Sequence, residues 1–164
     1  MSGAMLAHHR FLVEIDASGL GGDEGLASGG THAARGAFSE VTGLELNIEA
    51  TALREGGYHG GVRQLAGKVT SPNLVLKRGL TLDDGFWAWI RRCTEGRYPL
   101  PYVSGVVTVF GPEGAAAEPR TRFAFANGLV TKVKSADLNA REAREVPIEE
   151  LHIAHEGLMR EAPA

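Results

Sequence analysis

The sequence predicts a mainly β protein, a sandwich or barrel of six to seven mostly antiparallel strands with one flanking α-helix. Segments in which apolar and polar residues alternate recur along the chain, which is typical of half-buried strands. Only one segment repeats its apolar residues with the period of a helix. A parallel sheet needs a crossover connection, usually a helix, between successive strands, so these proportions favour antiparallel pairing.

Length and charge restrict the class of protein. A chain of 164 residues with 43% hydrophobic residues is long enough for one domain with its own core. The net charge of −3 argues against a dedicated nucleic-acid binder. The single cysteine, Cys93, excludes an internal disulfide framework, and the first residues lack the apolar run of a signal peptide or membrane span. We expect a flexible N-terminus (1–10), one domain (11–158) and a short tail (159–164).

The first half of the chain alternates predicted strands with glycine-rich segments. Strands are expected at 11–16, 37–50 and 68–79, with a bend at Thr42-Gly43. In the second of these, Leu44, Leu46 and Ile48 face one way and Glu45, Asn47 and Glu49 the other. The glycine-rich segments 17–36 and 51–67 are expected to be loops.

One helix is expected after the third strand. Thr81 and the acid three residues later form a capping pattern, and Gly96 supplies the stop. The apolar face of this helix is predicted to carry Leu82, Phe86, Trp89, Ile90 and Cys93. Trp87 falls at the rim of that face and is expected to be the less buried tryptophan.

The second half of the chain reads as strands only. They are predicted at 104–111, 120–128, 129–134 and 144–158. In the last segment Val146 and Ile148 share one phase and Leu151 and Ile153 the other, so a bulge near Glu149-Glu150 is expected.

No set of residues predicts catalysis, a cofactor or a metal. The 17–36 glycines lack the Gly-Lys-Ser/Thr ending of a phosphate loop. His152 and His155 would point to opposite faces of a strand. Asp83 and Asp84 fit a helix cap, and no serine lies in a Gly-x-Ser-x-Gly sequence. We therefore expect a protein that is not an enzyme and that binds no cofactor.

The strands also predict self-association. One helix cannot cover both faces and all edges of such a sheet, and uncovered edges pair readily with another chain. The basic residues Arg54, Arg63, Lys77 and Arg78 then admit two interpretations, a solvated edge or a contact between copies.

Four segments in order resemble the tail tube proteins of contractile phages and phage-like contractile injection systems. They are "FLVEID" (11–16), "AFSEVTGLELNIEATALREGG" (37–57), "NLVLKRGLTLDDGFWAWI" (73–90) and "LNAREAREVPIEELHIAHEGL" (138–158). The resemblance covers about Phe11 to Leu158.

The resemblance implies a structural subunit that forms hexameric rings with a continuous inner β-barrel. The rings would stack into a hollow tube inside a contractile sheath, and contraction would drive the tube through a target membrane. Implied partners are further copies of the chain, the sheath protein, and the baseplate, tube-initiator and tube-terminator proteins, with effector cargo or DNA in the lumen. No membrane anchor is implied. Assembly would take place in the cytoplasm of a producing bacterium, before incorporation into a virion-like particle.

The resemblance also assigns residues. The 51–67 segment matches an extended loop that reaches an adjacent subunit or ring, and Glu45, Asn47 and Glu49 become candidates for the lumen wall. The expected interface residues are Arg54, Glu55, Tyr58, Arg63, Lys77, Arg78 and Trp87. The 17–36 insertion is longer than is usual in the family. It keeps open an alternative, a baseplate tube initiator or a secreted carrier ring that does not polymerise alone.

Overall fold

The computed structural model describes residues 10–16, 32–36, 38–80, 85–96, 98, 100–111, 118–136 and 147–162. These residues form ten strands and one helix: β1 (Arg10–Asp16), β2 (His32–Gly36), β3 (Glu40–Thr42), β4 (Asn47–Leu53), β5 (Arg63–Thr70), β6 (Leu74–Gly79), α1 (Gly85–Thr94), β7 (Val103–Phe110), β8 (Pro119–Lys134), β9 (Ile148–Ala154) and β10 (Gly157–Glu161).

Every strand pairing is antiparallel. The strands follow the order β2-β1-β7-β8-β9-β6-β3, with β10 also on β8 and with β4–β5 as a separate hairpin. We call β2, β1, β7, β10 and the first part of β8 the first sheet, and the last part of β8 with β9, β6 and β3 the second sheet. The predicted fold class, mainly β with one helix, is confirmed.

Strand β8 belongs to both sheets because it turns a corner at Asn127-Gly128. Its first part pairs with β7 and β10, and from Leu129 onward it pairs with β9. Asn127 has a φ of 49°, and a Cβ at Gly128 would lie 2.8 Å from the Phe125 ring. A left-handed residue followed by a position without room for a side chain bends the strand. The segments predicted as two strands, 120–128 and 129–134, are therefore one bent strand.

The core lies between the two sheets and is closed at one side by α1. The first sheet contributes Val13, Ile15, Val103, Val107 and Phe125, and the second contributes Leu74, Leu76, Leu151 and Ile153. From the helix, Phe86 and Trp89 are each only 1% exposed, and Trp89 Nε1 donates a hydrogen bond to the Pro101 carbonyl over 3.0 Å. A buried indole N–H normally needs such a partner.

The predicted face of α1 is confirmed where the structure describes it. Ile90 and Cys93 are themselves half-buried and pack against the core. Gly96 follows the helix with a φ of 65°. Trp87 is 41% exposed, which confirms it as the less buried tryptophan. The predicted cap at Thr81, the acids Asp83 and Asp84, and Leu82 lie outside the described residues.

The structure corrects three predicted boundaries in the first half of the chain. Residues 32–36 form β2 and do not belong to a loop. The predicted strand 37–50 is two strands, β3 and β4, because the chain bends at Gly43, as predicted for Thr42-Gly43. Gly43 has a φ of 89°, and a Cβ there would lie 2.2 Å from the Asn73 carbonyl oxygen. The predicted strand 68–79 is likewise divided between β5 and β6.

The 51–67 segment is not a loop but most of a β-hairpin. Strands β4 and β5 pair from Asn47↔Thr70 to Leu53↔Arg63, and residues 54–62 connect them. Its glycines and alanines hide the alternation that would have revealed a strand, because those residues are weak strand formers.

The predicted bulge near Glu149-Glu150 is wrong. Strand β9 pairs with β6 without interruption from Ile153↔Leu74 to Ile148↔Gly79, and Glu149 shares the buried face with Leu151 and Ile153. Ile148 points outward and is 44% exposed. The irregularity lies on β8, between Val130 and Lys132. The expectation failed because it assumed that the apolar Ile148, and not the charged Glu149, faces the core.

Candidate assembly surfaces

The outer face of the second sheet is polar. Leu74 and Leu76 of β6 and Leu151 and Ile153 of β9 point into the core, so the residues between them point outward. The outward residues include seven polar side chains and two apolar ones: Glu40, Thr42, Lys77, Lys132, Lys134, Glu150 and His152, with Val75 and Ile148. We call this surface the polar face.

Charges of alternating sign form a row across the polar face. Glu40 of β3 lies opposite Lys77, Lys77 lies opposite Glu150, and Glu150 lies opposite Lys134 of β8. Lys77 Nζ donates to both carboxylate oxygens of Glu40, over 3.2 and 3.1 Å. Opposite charges that face each other across strands stabilise a sheet. The row of charges therefore has a structural role, which is to stabilise the second sheet.

Both outer edges of the second sheet are open in the described part of the chain. Strand β3 pairs with β6 alone, and β8 pairs with β9 alone from Leu129 onward. Unpaired strand edges present a row of backbone donors and acceptors that can pair with another chain. These edges are where a second copy could extend the sheet.

The β4–β5 hairpin exposes large apolar side chains on both of its faces. Its register pairs Ile48 with Val69 on one face, and Leu65 lies opposite Thr51, beside Leu53, on the other. We call Ile48, Leu53, Leu65 and Val69 the apolar residues of the hairpin; they are 64%, 40%, 48% and 62% exposed. Because an isolated two-stranded hairpin is marginal in water, these apolar residues indicate a surface that is covered in an assembly.

The hairpin tip brings together three of the predicted interface residues. Arg63 Nε lies 2.9 Å from Glu55 Oε2, and the Arg63 guanidinium carbon lies 5.6 Å from the Tyr58 ring centroid. Arg54 is exposed next to this group. Both ion-pair partners are largely exposed, so the pair shapes the tip but adds little stability.

The remaining predicted interface residues lie elsewhere. Lys77 belongs to the polar face, and Trp87 lies exposed on the outer side of α1. Arg78 is only 8% exposed and is paired with Glu149, and its guanidinium carbon lies 3.8 Å from the Phe86 ring centroid. Because Arg78 is buried in its own subunit, where it joins β6, β9 and α1, we remove it from the interface set.

The predicted lumen residues are exposed but do not lie on the second sheet. Glu45 falls in the connection 43–46, and Asn47 and Glu49 fall on β4. Of the apolar residues predicted opposite them, only Leu44 packs against the core. Leu46 and Ile48 are 53% and 64% exposed, so this segment is not covered within one subunit. Sequence reasoning missed the polar face because its residues lie on four separated strands.

An open cleft of about 560 Å³ lies beside β3. Phe11, Val41, Leu44, Val109 and Phe123 line it, with Arg160 at the rim. Arg160 Nε donates to Thr121 Oγ1 over 3.1 Å. This cleft is an apolar extension of the core that the second sheet does not cover. It is therefore a further candidate surface for contact with another chain.

Two other kinds of feature are absent from the described residues. Nowhere in that part of the chain do three or more His, Cys, Asp or Glu side chains gather as metal ligands. The helix of the described region is too short and too polar to cross a membrane.

Comparisons with known proteins agree with this architecture. The family model described as T4-like virus tail tube protein gp19 matches residues 7–159. A chain of the anti-feeding prophage (AFP) baseplate superposes with a TM-score of 0.76 at 22% identity, over 99% of this chain and 98% of that chain. A chain of the PVC sheath-tube complex, from an extracellular contractile injection system in the extended state, gives 0.74 at 16% identity, over 98% and 93%.

A more distant structure shares the fold. Hcp1 from Salmonella typhimurium superposes with a TM-score of 0.51 at 14% identity, over 93% of this chain and 86% of that chain. A search of curated protein sequences found no match.

Proposed function

The chain belongs to the T4-like virus tail tube protein gp19 family, and on that premise we propose that it is the inner-tube subunit of a contractile phage tail or a phage-like contractile injection system. Copies form hexameric rings, and the rings stack into a hollow tube inside a sheath. The observation that carries this proposal is the second sheet, which combines two open edges with a polar outer face.

The second sheet suits a ring because of its strand number. It contains four strands, β8-β9-β6-β3, and each is antiparallel to the next. With an even number of strands, β3 of one copy runs antiparallel to β8 of the next copy when the sheet continues. Closing the ring removes both open edges of the second sheet, which is how β-barrels avoid open-ended pairing.

The polar face would then line the lumen. The opposite face of the second sheet packs against the subunit's own core, so the polar face is the one left for the interior of the barrel. Charged and hydroxyl side chains make a wall to which apolar cargo does not adhere. We also include in this wall Glu45, Asn47 and Glu49, which follow β3 in the chain and are exposed. Effector cargo or DNA in the lumen remains part of the proposal.

The hairpin would make the contact between neighbouring copies. Arg54, Glu55, Tyr58 and Arg63 lie at its exposed tip, and its exposed apolar residues need a cover. Trp87, exposed on α1, would face a neighbour or the sheath protein. The further partners are the baseplate, tube-initiator and tube-terminator proteins. Assembly would occur in the cytoplasm of the producing cell, before the finished particle is released.

A second candidate is a tube initiator of the baseplate or a secreted carrier ring with the same fold. The likeness to a chain of the AFP baseplate supports it. It differs in one outcome, because its rings do not stack when the protein is alone.

Electron microscopy with the mass in solution tests the proposal. We expect rings with six-fold symmetry and a central pore, stacked into tubes as concentration rises. Rings that never stack, even at the highest soluble concentration, favour the initiator or carrier. A compact monomer under all conditions, including addition of preformed tube ends, contradicts both candidates.

A further inference from the structure

The corner of β8 is built from a dipeptide, Asn127-Gly128, that few others could replace. Asn127 has a φ of 49°, a left-handed conformation that asparagine adopts more readily than most residues. A Cβ at Gly128 would lie 2.8 Å from the Phe125 ring and 3.0 Å from Ile153, so a side chain has no room there. The bend that joins the two sheets therefore depends on an asparagine followed by a glycine.

An asparagine before a glycine is chemically labile. The glycine nitrogen, once it has lost its proton, can form a bond to Cγ of the asparagine; the Cγ–Nδ2 bond then breaks, and Nδ2 leaves as ammonia. Water opens the resulting cyclic imide to aspartate or isoaspartate. A glycine favours the first step because no side chain hinders its nitrogen. Asn127 is the one asparagine in the sequence that precedes a glycine, and it is exposed to water.

Glu156 binds the group that this reaction expels. Asn127 Nδ2 donates a hydrogen bond to Glu156 Oε2 over 2.7 Å, and the Glu156 backbone N–H donates to the Ala126 carbonyl over 3.1 Å. Because Nδ2 leaves as ammonia, ring closure must give up the bond to the Glu156 carboxylate. A hydrogen bond to a charged acceptor is stronger than one between neutral groups. The connection between β9 and β10, where Glu156 lies, thus opposes the reaction.

We infer that Asn127 is a deamidation site and that its hydrogen bond to Glu156 keeps the site unreacted in the folded chain. The reaction would put a carboxylate where Nδ2 now donates to Glu156, and two like charges at that distance repel each other. An isoaspartate would also insert a methylene into the backbone of β8 at its corner. Both changes would weaken the join between the two sheets. All of these groups belong to one subunit, so the site does not depend on the proposed function.

Two substitutions of Glu156 test the inference. Glu156→Ala removes the acceptor, whereas the side-chain amide oxygen introduced by Glu156→Gln can still accept the hydrogen bond from Asn127. Both variants and the wild-type chain are incubated at mildly alkaline pH, and mass spectrometry of their peptides follows the mass gain and the isoaspartate at position 127. Asn47 is the internal control, because the β-branched Ile48 follows it. Thermal unfolding establishes that each chain is folded.

The expected result is protection that depends on the acceptor at position 156. Wild-type Asn127 should deamidate at least about tenfold more slowly in the folded chain than in denaturant, since a hydrogen bond to a charged group contributes a factor of that order. Glu156→Ala should recover most of that rate while folded. Glu156→Gln should react at a rate closer to the wild type, and Asn47 should stay intact in all three folded chains.

Three results would overturn the inference. One is an equal rate at Asn127 in the folded and the denatured wild-type chain, which would show that the fold gives no protection. Another is an unchanged rate in folded Glu156→Ala, which would assign the protection to the backbone of β8. The third is equal acceleration in Glu156→Ala and Glu156→Gln, because only the second variant keeps an acceptor for Asn127 Nδ2.

Discussion

At the scale of single residues, the ion pair between Arg78 and Glu149 is the strongest departure from a simple apolar core. Both side chains are buried, and Arg78 also stacks on Phe86. Burial of two charges is compensated only when each satisfies the other, and loss of one partner leaves an unpaired charge in the core. The pair therefore holds α1, β6 and β9 in one arrangement.

Substitution at this pair should affect stability in a non-additive way. We expect Glu149→Ala to lower the free energy of unfolding by about 3–5 kcal/mol, because Arg78 keeps its buried charge and loses the carboxylate that pairs with it. The double change Arg78→Met with Glu149→Leu should cost clearly less than Glu149→Ala alone. Denaturant unfolding of the unassembled chain measures both.

The exposed pair Arg63–Glu55 provides the control for that prediction. Arg63→Ala should change the free energy of unfolding by less than about 1 kcal/mol, since both partners are solvated. Equal losses at the two pairs would contradict the structural role assigned to Arg78 and Glu149.

The thiol of Cys93 should be unreactive. Burial raises the pKa of Cys93 above its ordinary value, although the nearby positive charge of Arg92 acts in the opposite direction. A raised pKa leaves less thiolate near neutral pH, and the thiolate is the reactive form. Alkylation by iodoacetamide at pH 7.5, a pH chosen below the ordinary thiol pKa, should be slower in the folded chain than in denaturant. Equal rates would show that the thiol is not protected.

At the scale of elements, the β4–β5 hairpin combines a weak fold with an apolar surface. Both strands are exposed along their whole length, and the apolar residues of the hairpin stand in solvent. Such an element contributes little to the stability of one subunit, and the proposed contacts with neighbouring copies would account for its exposed apolar residues.

Substitutions of large and of small residues of the hairpin should therefore have different effects. Ile48→Ser with Val69→Ser should raise the protein concentration needed for tube formation at least about tenfold, because apolar area buried in the assembly is lost. The thermal unfolding of the unassembled chain should not change. Ala52→Ser, which removes no large apolar side chain, is the matched control and should assemble normally. The prediction fails if Ile48 and Val69 variants form tubes as readily as the control.

At the scale of the whole molecule, one chain presents an incomplete barrel. The first sheet, the core and α1 form a stable body, whereas the second sheet ends in two open edges. In the proposed ring, association would complete the barrel, and two contributions would favour it: backbone pairing at the open edges of the second sheet and burial of the apolar residues of the hairpin.

The sequence by itself determined the fold class, because alternation in β1, β7 and β9 and the single helical period need no tertiary information. It also placed Phe86, Trp89 and Trp87 correctly on α1, since helix geometry relates these positions directly. The order of four segments indicated the family. The sequence predicted the bend at Gly43 but not the division of 37–50 into two strands. A glycine indicates that the chain can bend, but not the direction of the bend.

The tertiary structure alone decided which charges are buried and which strands are neighbours. Arg78 and Glu149 lie 71 positions apart and meet because β6 and β9 pair. The row from Glu40 to Lys134 crosses four strands for the same reason. Local alternation tells which side of a strand a residue occupies, but long-range pairing determines what lies opposite it. The polar face and the two open edges are therefore properties of the folded sheet.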